Sequence, residues 1–209
     1  MRTVNLIDSN MQWASAEDAY LDSAGVQRFL EGFGSWLAKY KMPNGTAFSK
    51  WLWQKSIDHG IEPIMAMAML QKEQSLIQKW RENDRPPQSK LDWACGYGAS
   101  EGSRPENRDP DLKGFDVQIE KMLGSFQGYI DAGNEWPSIA RWETVPVALY
   151  GDDGRKTGEK VLAGNLETAL HLLYNPRIDG DGVSLLKNIW DRYYDHAQKL
   201  NLIRGDAVE

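Results

Sequence analysis

"GIEPIMAMAMLQKEQSLIQKW", residues Gly60 to Trp80, decides how the chain folds. Pro63 stands where a helix can begin, because the N–H it lacks would have no partner in a first turn. Long or unbranched side chains with good helix propensity follow it, and the stretch predicts a helix from Pro63 to about Trp80. Residues three or four apart share a helix face. Ala66, Leu70, Glu73 and Ile77 therefore form one row, and Met69, Glu73 and Leu76 the adjacent one. Gln71, Lys72, Gln74, Ser75, Gln78 and Lys79 make the opposite face. Glu73 is thus a carboxylate among apolar neighbours. If that stripe faces inward, desolvation disfavours its charged form and raises its pKa. A carboxylic acid that stays protonated near neutral pH can protonate a glycosidic oxygen. A half-buried Glu that serves a helix end or pairs with an arginine is the structural alternative.

Working outward, Asp22 to Tyr40 has helical spacing at Val26, Phe29, Leu30, Phe33, Trp36 and Leu37, broken by glycines. One helix or two short ones are expected there. Ser49 is a plausible N-cap for a helix through Asp58. Residues 81–114 are rich in Pro, Gly, Asp and Arg, with one short apolar island, "LDWACGYG". Irregular segments of that length are usually functional or disordered. Helical periodicity resumes through Phe115, Ile119, Met122, Leu123, Phe126 and Ile130. Residues 145–164 read as a hairpin around "DDGR", and "NLETALHLLYNP" as a short helix ended by Pro176. "VSLLKNIWDRYYDHAQKL" predicts a strongly amphipathic last helix. The expected architecture is a mainly α single domain with a small β-hairpin, preceded by an N-terminal extension over residues 1–21.

Composition narrows the function. Net charge is −6, and no run of Lys or Arg offers phosphates a surface, so nucleic acid is not an expected partner. Anchoring on an anionic membrane is disfavoured for the same reason. No apolar run has the length of a membrane span, and the first residues show no secretory h-region. The single cysteine, Cys95, forbids an internal disulfide, and three scattered histidines lack metal-ligand spacing, so no metal or cofactor is expected. Nine tryptophans and eight tyrosines suit either a bulky core or a cleft whose rings stack on sugars.

Four segments occur in a telling order: "GIEPIMAMAMLQKEQSLI", "ACGYGAS" followed by "DPDLKGFDVQIEKML", "LAGNLETALHLLYNPRI", and "NIWDRYY". Together they resemble a lysozyme-like, peptidoglycan-cleaving family of secreted bacterial and phage cell-wall proteins, over roughly Phe29 to Tyr194. In that family a "G-I-x-P … L-Q-K-E-(S/Q)-S" helix carries the catalytic Glu, and "GYG" and "KGF-x-x-Q" segments follow. Here Ala99 and Ser100 stand where the family has Cys-Pro or Val-Pro. Asn175 stands where Tyr-Thr would precede the proline.

The resemblance implies a lysozyme-like fold acting on the β-1,4 bonds of the glycan strand, with Glu73 as proton donor. Gly96, Tyr97 and Gly98 would line the cleft, the glycines allowing close approach to the sugar. Tyr174 and Asn175 would face Glu73 from the far side. Ser75 either bonds locally or is an inert surface residue. Trp93 either stacks on substrate or belongs to the core. Cys95 reads as a packed side chain rather than a nucleophile. No second carboxylate stands out among Asp92, Asp109, Asp111 and Asp116. That favours a lytic transglycosylase, in which the substrate's own hydroxyl attacks, over a hydrolase, which needs two carboxylates. A non-catalytic wall-binding phage module is the alternative from another class. The expected site of action is the cell wall, for a virion-borne or lysis-released protein.

Overall fold

The computed structural model describes residues 2–4, 19–80, 85–98, 108–135, 147–150, 156–163 and 181–203. It is mainly helical. Helices α1 (Ser23–Gly32), α2 (Phe48–Asp58), α3 (Pro63–Gln74), α4 (Gln88–Asp92), α5 (Phe115–Glu135) and α6 (Asp181–Lys199) are joined by two short 3-10 helices, Trp36–Lys39 and Pro110–Leu112.

At the centre lies α3, in which every residue from Pro63 to Gln71 is buried. A helix apolar on all sides must be wrapped by others. Here α2 and α6 pack directly on it, while α1 leans on α2, and α5 contacts α2 and α4. The stripe of α6 puts Leu186, Ile189, Trp190, Tyr193 and Ala197 into this core. Phe29 of α1 and Phe33, just past its end, meet the Tyr193 ring edge-on at 5.2 and 4.9 Å. Among the described residues no helix is long and apolar enough to cross a membrane.

The strands form one small sheet in the order β1 (Arg2–Val4), β3 (Lys156–Ala163), β2 (Val147–Tyr150). β2 runs antiparallel to β3, with Val147 opposite Val161. Arg2–Val4 pairs in parallel with Val161–Ala163, so part of the expected N-terminal extension is an edge strand.

Three sequence-based expectations need correction. The helix predicted to reach Trp80 stops at Gln74, because Ser75 takes a left-handed backbone (φ 59°, ψ 38°) and turns the chain. Its N–H and that of Leu76 fold back onto the carbonyls of Gln71 and Leu70, satisfying acceptors a helix end leaves open. Leu76 and Ile77 are buried, but beyond the helix end, so they do not continue its stripe. α2 begins at Phe48 behind Ala47 and not behind Ser49. The Ser49 hydroxyl instead donates to Gln27 Oε1 at 2.6 Å, tying α2 to α1. Finally, the irregular segment 81–114 contains α4 and the Pro110–Leu112 turn. The short helix expected over 165–176 lies outside the described residues.

Candidate functional site

Glu73 occupies the last turn of α3. Its side chain is 23% exposed, and Lys72 Nζ lies 2.8 Å from Oε1. The carboxylate is therefore ion-paired at the edge of the core and not sealed in it, because the helix ends one residue later and its last turn emerges from the bundle. Of the two structural alternatives named for it, the helix-end one describes its position.

This end of α3 is fixed from three sides. The Gln71 side chain, itself buried, accepts the backbone N–H groups of Ile77 and Gln78 at 3.0 Å each. The left-handed Ser75 sets the turn, a conformation that is uncommon for a residue with a Cβ and is often stored where geometry matters. Lys90 of α4 donates to the Gln74 carbonyl at 3.0 Å, a cation at a helix C-terminus where the dipole favours it. The Lys90 ammonium also lies 5.4 Å from the Trp80 ring centroid.

Past α4 runs the loop that carries Trp93 to Gly98. The buried Gln118 of α5, 0% exposed, holds it by both ends of its amide. Oε1 accepts the N–H groups of Cys95 and Tyr97 at 3.1 Å each. Nε2 donates to the carbonyls of Tyr97 (2.9 Å) and Leu112 (2.5 Å). A buried amide satisfied on both sides is costly to disturb, since each orphaned partner would be left desolvated. Gly96 and Gly98 supply the left-handed residues (φ 77° and 78°) that let the loop turn twice in three residues. A Cβ on Gly98 would also crowd Leu112 at 3.2 Å.

The loop and the helix end meet electrostatically. The Cys95 thiol is 2% exposed, and its pKa is pushed well up, first by burial and then by the negative charge of Glu73. Such a thiol is held in its unreactive form. It packs on Met122, with its sulfur 3.6 Å from that of the methionine. Tyr97 is not a freely exposed ring: it is half-buried against the core. Trp93 is half-exposed, with the Arg108 guanidinium 5.0 Å from its ring centroid. Glu73 and Ser75 thus belong to one braced segment, and Trp93, Gly96, Tyr97 and Gly98 to another. Tyr174 and Asn175 lie outside the described residues.

The carboxylates proposed as a second catalytic group are unequal. Asp92 is engaged by Lys113 Nζ at 3.4 Å and by Gln88 Nε2 at 2.9 Å. Asp109 accepts the Asp111 N–H as a cap, and Asp111 is exposed. Asp116 stands in the first turn of α5 and lines an open trough between α2 and α5.

The most desolvated carboxylate of the described residues is one that sequence reasoning passed over. Glu62, 5% exposed, precedes Pro63 at the other end of α3. Burial raises its pKa to about 7, against a downward pull from the backbone N–H groups of Tyr20, Ile64 and Leu21. Gln118, the glutamine of the KGF-x-x-Q resemblance, was assigned no role there, although it sits between Phe115, Ile119 and Met122 on the buried face of α5. An uncharged polar residue on an apolar stripe was the available signal. Comparison with protein-family models, curated proteins and solved structures finds no match for this chain.

Proposed function

We propose that the protein cleaves the β-1,4 glycosidic bonds of peptidoglycan, with Glu73 as the proton donor in a lysozyme-like cleft. One observation carries the reading. A single carboxylate projects from the C-terminal turn of a helix buried from Pro63 to Gln71, braced by Gln71, Ser75 and Lys90, beside a glycine-turned loop that Gln118 locks in place. Fixed geometry of this kind is what acid catalysis requires of its donor. Lys72 would compensate the carboxylate once its proton has left.

The reaction we favour is that of a lytic transglycosylase. Asp92 and Asp109 are already engaged by Lys113, Gln88 and a backbone cap, so neither stands ready as the second carboxylate of a hydrolase. With a transglycosylase the attacking hydroxyl is already held on the substrate, at a high effective molarity. The protein would act at the cell wall, as a virion-borne or lysis-released phage enzyme.

The test is digestion of purified cell walls followed by mass spectrometry. Anhydro-muramyl ends, one water lighter than reducing ends, are expected from wild type and are expected to vanish with Glu73→Gln. Reducing ends as the sole product would mark a hydrolase and turn attention to Asp116. A folded protein that binds walls but releases no fragments would mark a non-catalytic wall-binding module.

A further inference from the structure

Glu62 is the N-cap residue of α3, yet its side chain caps nothing in its own helix. A carboxylate at that position ordinarily accepts an N–H of the first helical turn. Here Oε2 reaches instead to the backbone N–H of Tyr20, 42 residues earlier in the chain, at 3.0 Å. The other oxygen, Oε1, is buried with no hydrogen-bond partner among the described residues. Ala19 and Leu21, on either side of Tyr20, are fully buried. The Tyr20 ring meets that of Tyr194 of α6 edge-on at 5.6 Å. Residues 19–21 are thus a strap that ties the chain before α1 to α3 and α6.

A buried carboxylate with one bare oxygen is costly once it is charged. The ionisable groups of the surrounding elements are engaged elsewhere. Asp22 caps α1 through the Gly25 N–H at 2.6 Å. Asp58 and His59, at the end of α2, bond Gln54 and the α5 residues Gln127 and Glu120. On α6, Lys187 pairs with Asp191, Arg192 lies over the Phe33 and Tyr193 rings, and Asp195 is exposed. Burial therefore outweighs the N–H groups of Tyr20, Ile64 and Leu21 and raises the pKa of Glu62 to about 7. Of those three donors Ile64 is fixed in α3, whereas Tyr20 and Leu21 stand outside any helix or strand. The strap is the part that can give way and let water reach the ionised group.

We propose that Glu62 and residues 19–21 form a proton-operated latch. The strap is seated while Glu62 carries its proton, and it lifts locally, with the helices intact, once that proton passes to water. The latch is independent of whatever reaction the Glu73 end performs.

The test is native-state hydrogen exchange of the full chain, followed by NMR from pH 5 to 8 and corrected for the intrinsic pH dependence of amide exchange. The Tyr20 amide is expected to exchange ahead of the α3 core amides from Ala66 to Leu70, the mark of a local opening. Its protection is expected to fall by roughly 50-fold over that range, because the open strap releases a proton that the seated one retains. The fall should level off above about pH 7. Glu62→Gln, which cannot ionise, is expected to keep the early exchange and lose the fall. The wild-type series decides the matter alone where that variant does not fold. Tyr20 protection that is unchanged by pH would overturn the proposal. So would exchange of Tyr20 only at the pace of the α3 core, since the strap would then come free with global unfolding alone. A fall that persists in Glu62→Gln would overturn it too, by placing the titrating group elsewhere.

Discussion

Two glutamates stand at the two ends of α3, and they have opposite surroundings. Glu62, at the N-terminal end, is buried, unpaired with any cation among the described residues, and held by backbone N–H groups, one of them from Tyr20 at 3.0 Å. Glu73, at the C-terminal end, is partly exposed and paired with Lys72. The helix dipole favours a negative charge at the first position and disfavours it at the second. Glu62 therefore sits where a carboxylate serves the fold. Glu73 sits where one is a burden to the fold, held beside a glycine-turned loop. The comparison teaches that desolvation alone does not identify a catalytic acid. The more deeply buried carboxylate is closed to solvent, whereas the one proposed as proton donor is partly exposed and held at a braced helix end.

The sharpest way to break this comparison is activity. Glu73→Gln is expected to lower wall cleavage by roughly 10²–10⁴-fold, the usual worth of a general acid. Its stability should change by less than about 1 kcal/mol, since a partly exposed ion pair contributes little. Glu62→Gln should leave cleavage nearly unchanged. Lysis assays beside thermal melts decide between them.

Next in size is the pH dependence of stability. A folded-state pKa of about 7 against an ordinary 4.5 means the folded chain keeps a proton that the unfolded chain has released. Glu62 then contributes fully below pH 4.5, and that contribution is lost as pH rises through about 7. The expected loss is at most about 3 kcal/mol. Urea melts from pH 4 to 8 should show the decline in wild type and a flatter profile in Glu62→Gln. A profile unchanged by the substitution would assign the slope elsewhere.

Gln118→Ala tests whether the site end depends on the clamp. Leaving the Cys95 and Tyr97 N–H groups and the Tyr97 and Leu112 carbonyls without their partner is expected to cost about 2–4 kcal/mol. Cleavage should fall further than the lost stability explains. The smallest expected effect is that of Ser75→Gly, which relieves a left-handed Cβ and should stabilise the chain by up to about 1 kcal/mol. Ser75→Val should do the reverse. Both are read from melting temperatures.

Much of the helical frame was legible because periodicity reports burial directly. The apolar stripes of α1, α5 and α6 supply buried core residues as predicted, whereas α3 is buried on every side from Pro63 to Gln71, the polar Gln71 included. The end of α3 was not legible, because its stop signal is a serine in a conformation usually given to glycine or asparagine. The same error placed Ile77 on one helical stripe with Glu73. Glu62 was hidden in "HGIEP", which reads as a turn, and a turn gives no hint that its carboxylate will be covered by Tyr20 and Leu21. Glu73 was singled out by its place on the apolar stripe and then by resemblance, and the Gly96–Gly98 loop by resemblance. The resemblance put them in one cleft, and the structure adds that the charge of Glu73 acts on the buried Cys95 of that loop. The trough between α2 and α5 could not be read at all, because Trp51 and Asp116 come from segments with no local relation.

The Gln118 amide has a consequence for motion. Because it bonds Cys95, Tyr97 and Leu112 from within α5, the loop cannot open without breaking contacts buried against that helix. The amide hydrogens of Cys95 and Tyr97 should therefore exchange with deuterium at the pace of α5, and not at the faster pace of a surface loop. A loop so fastened is no lid. Under the proposed glycan-cleaving reading, this loop would already be in place before substrate arrives, and its closure would play no part in gating turnover.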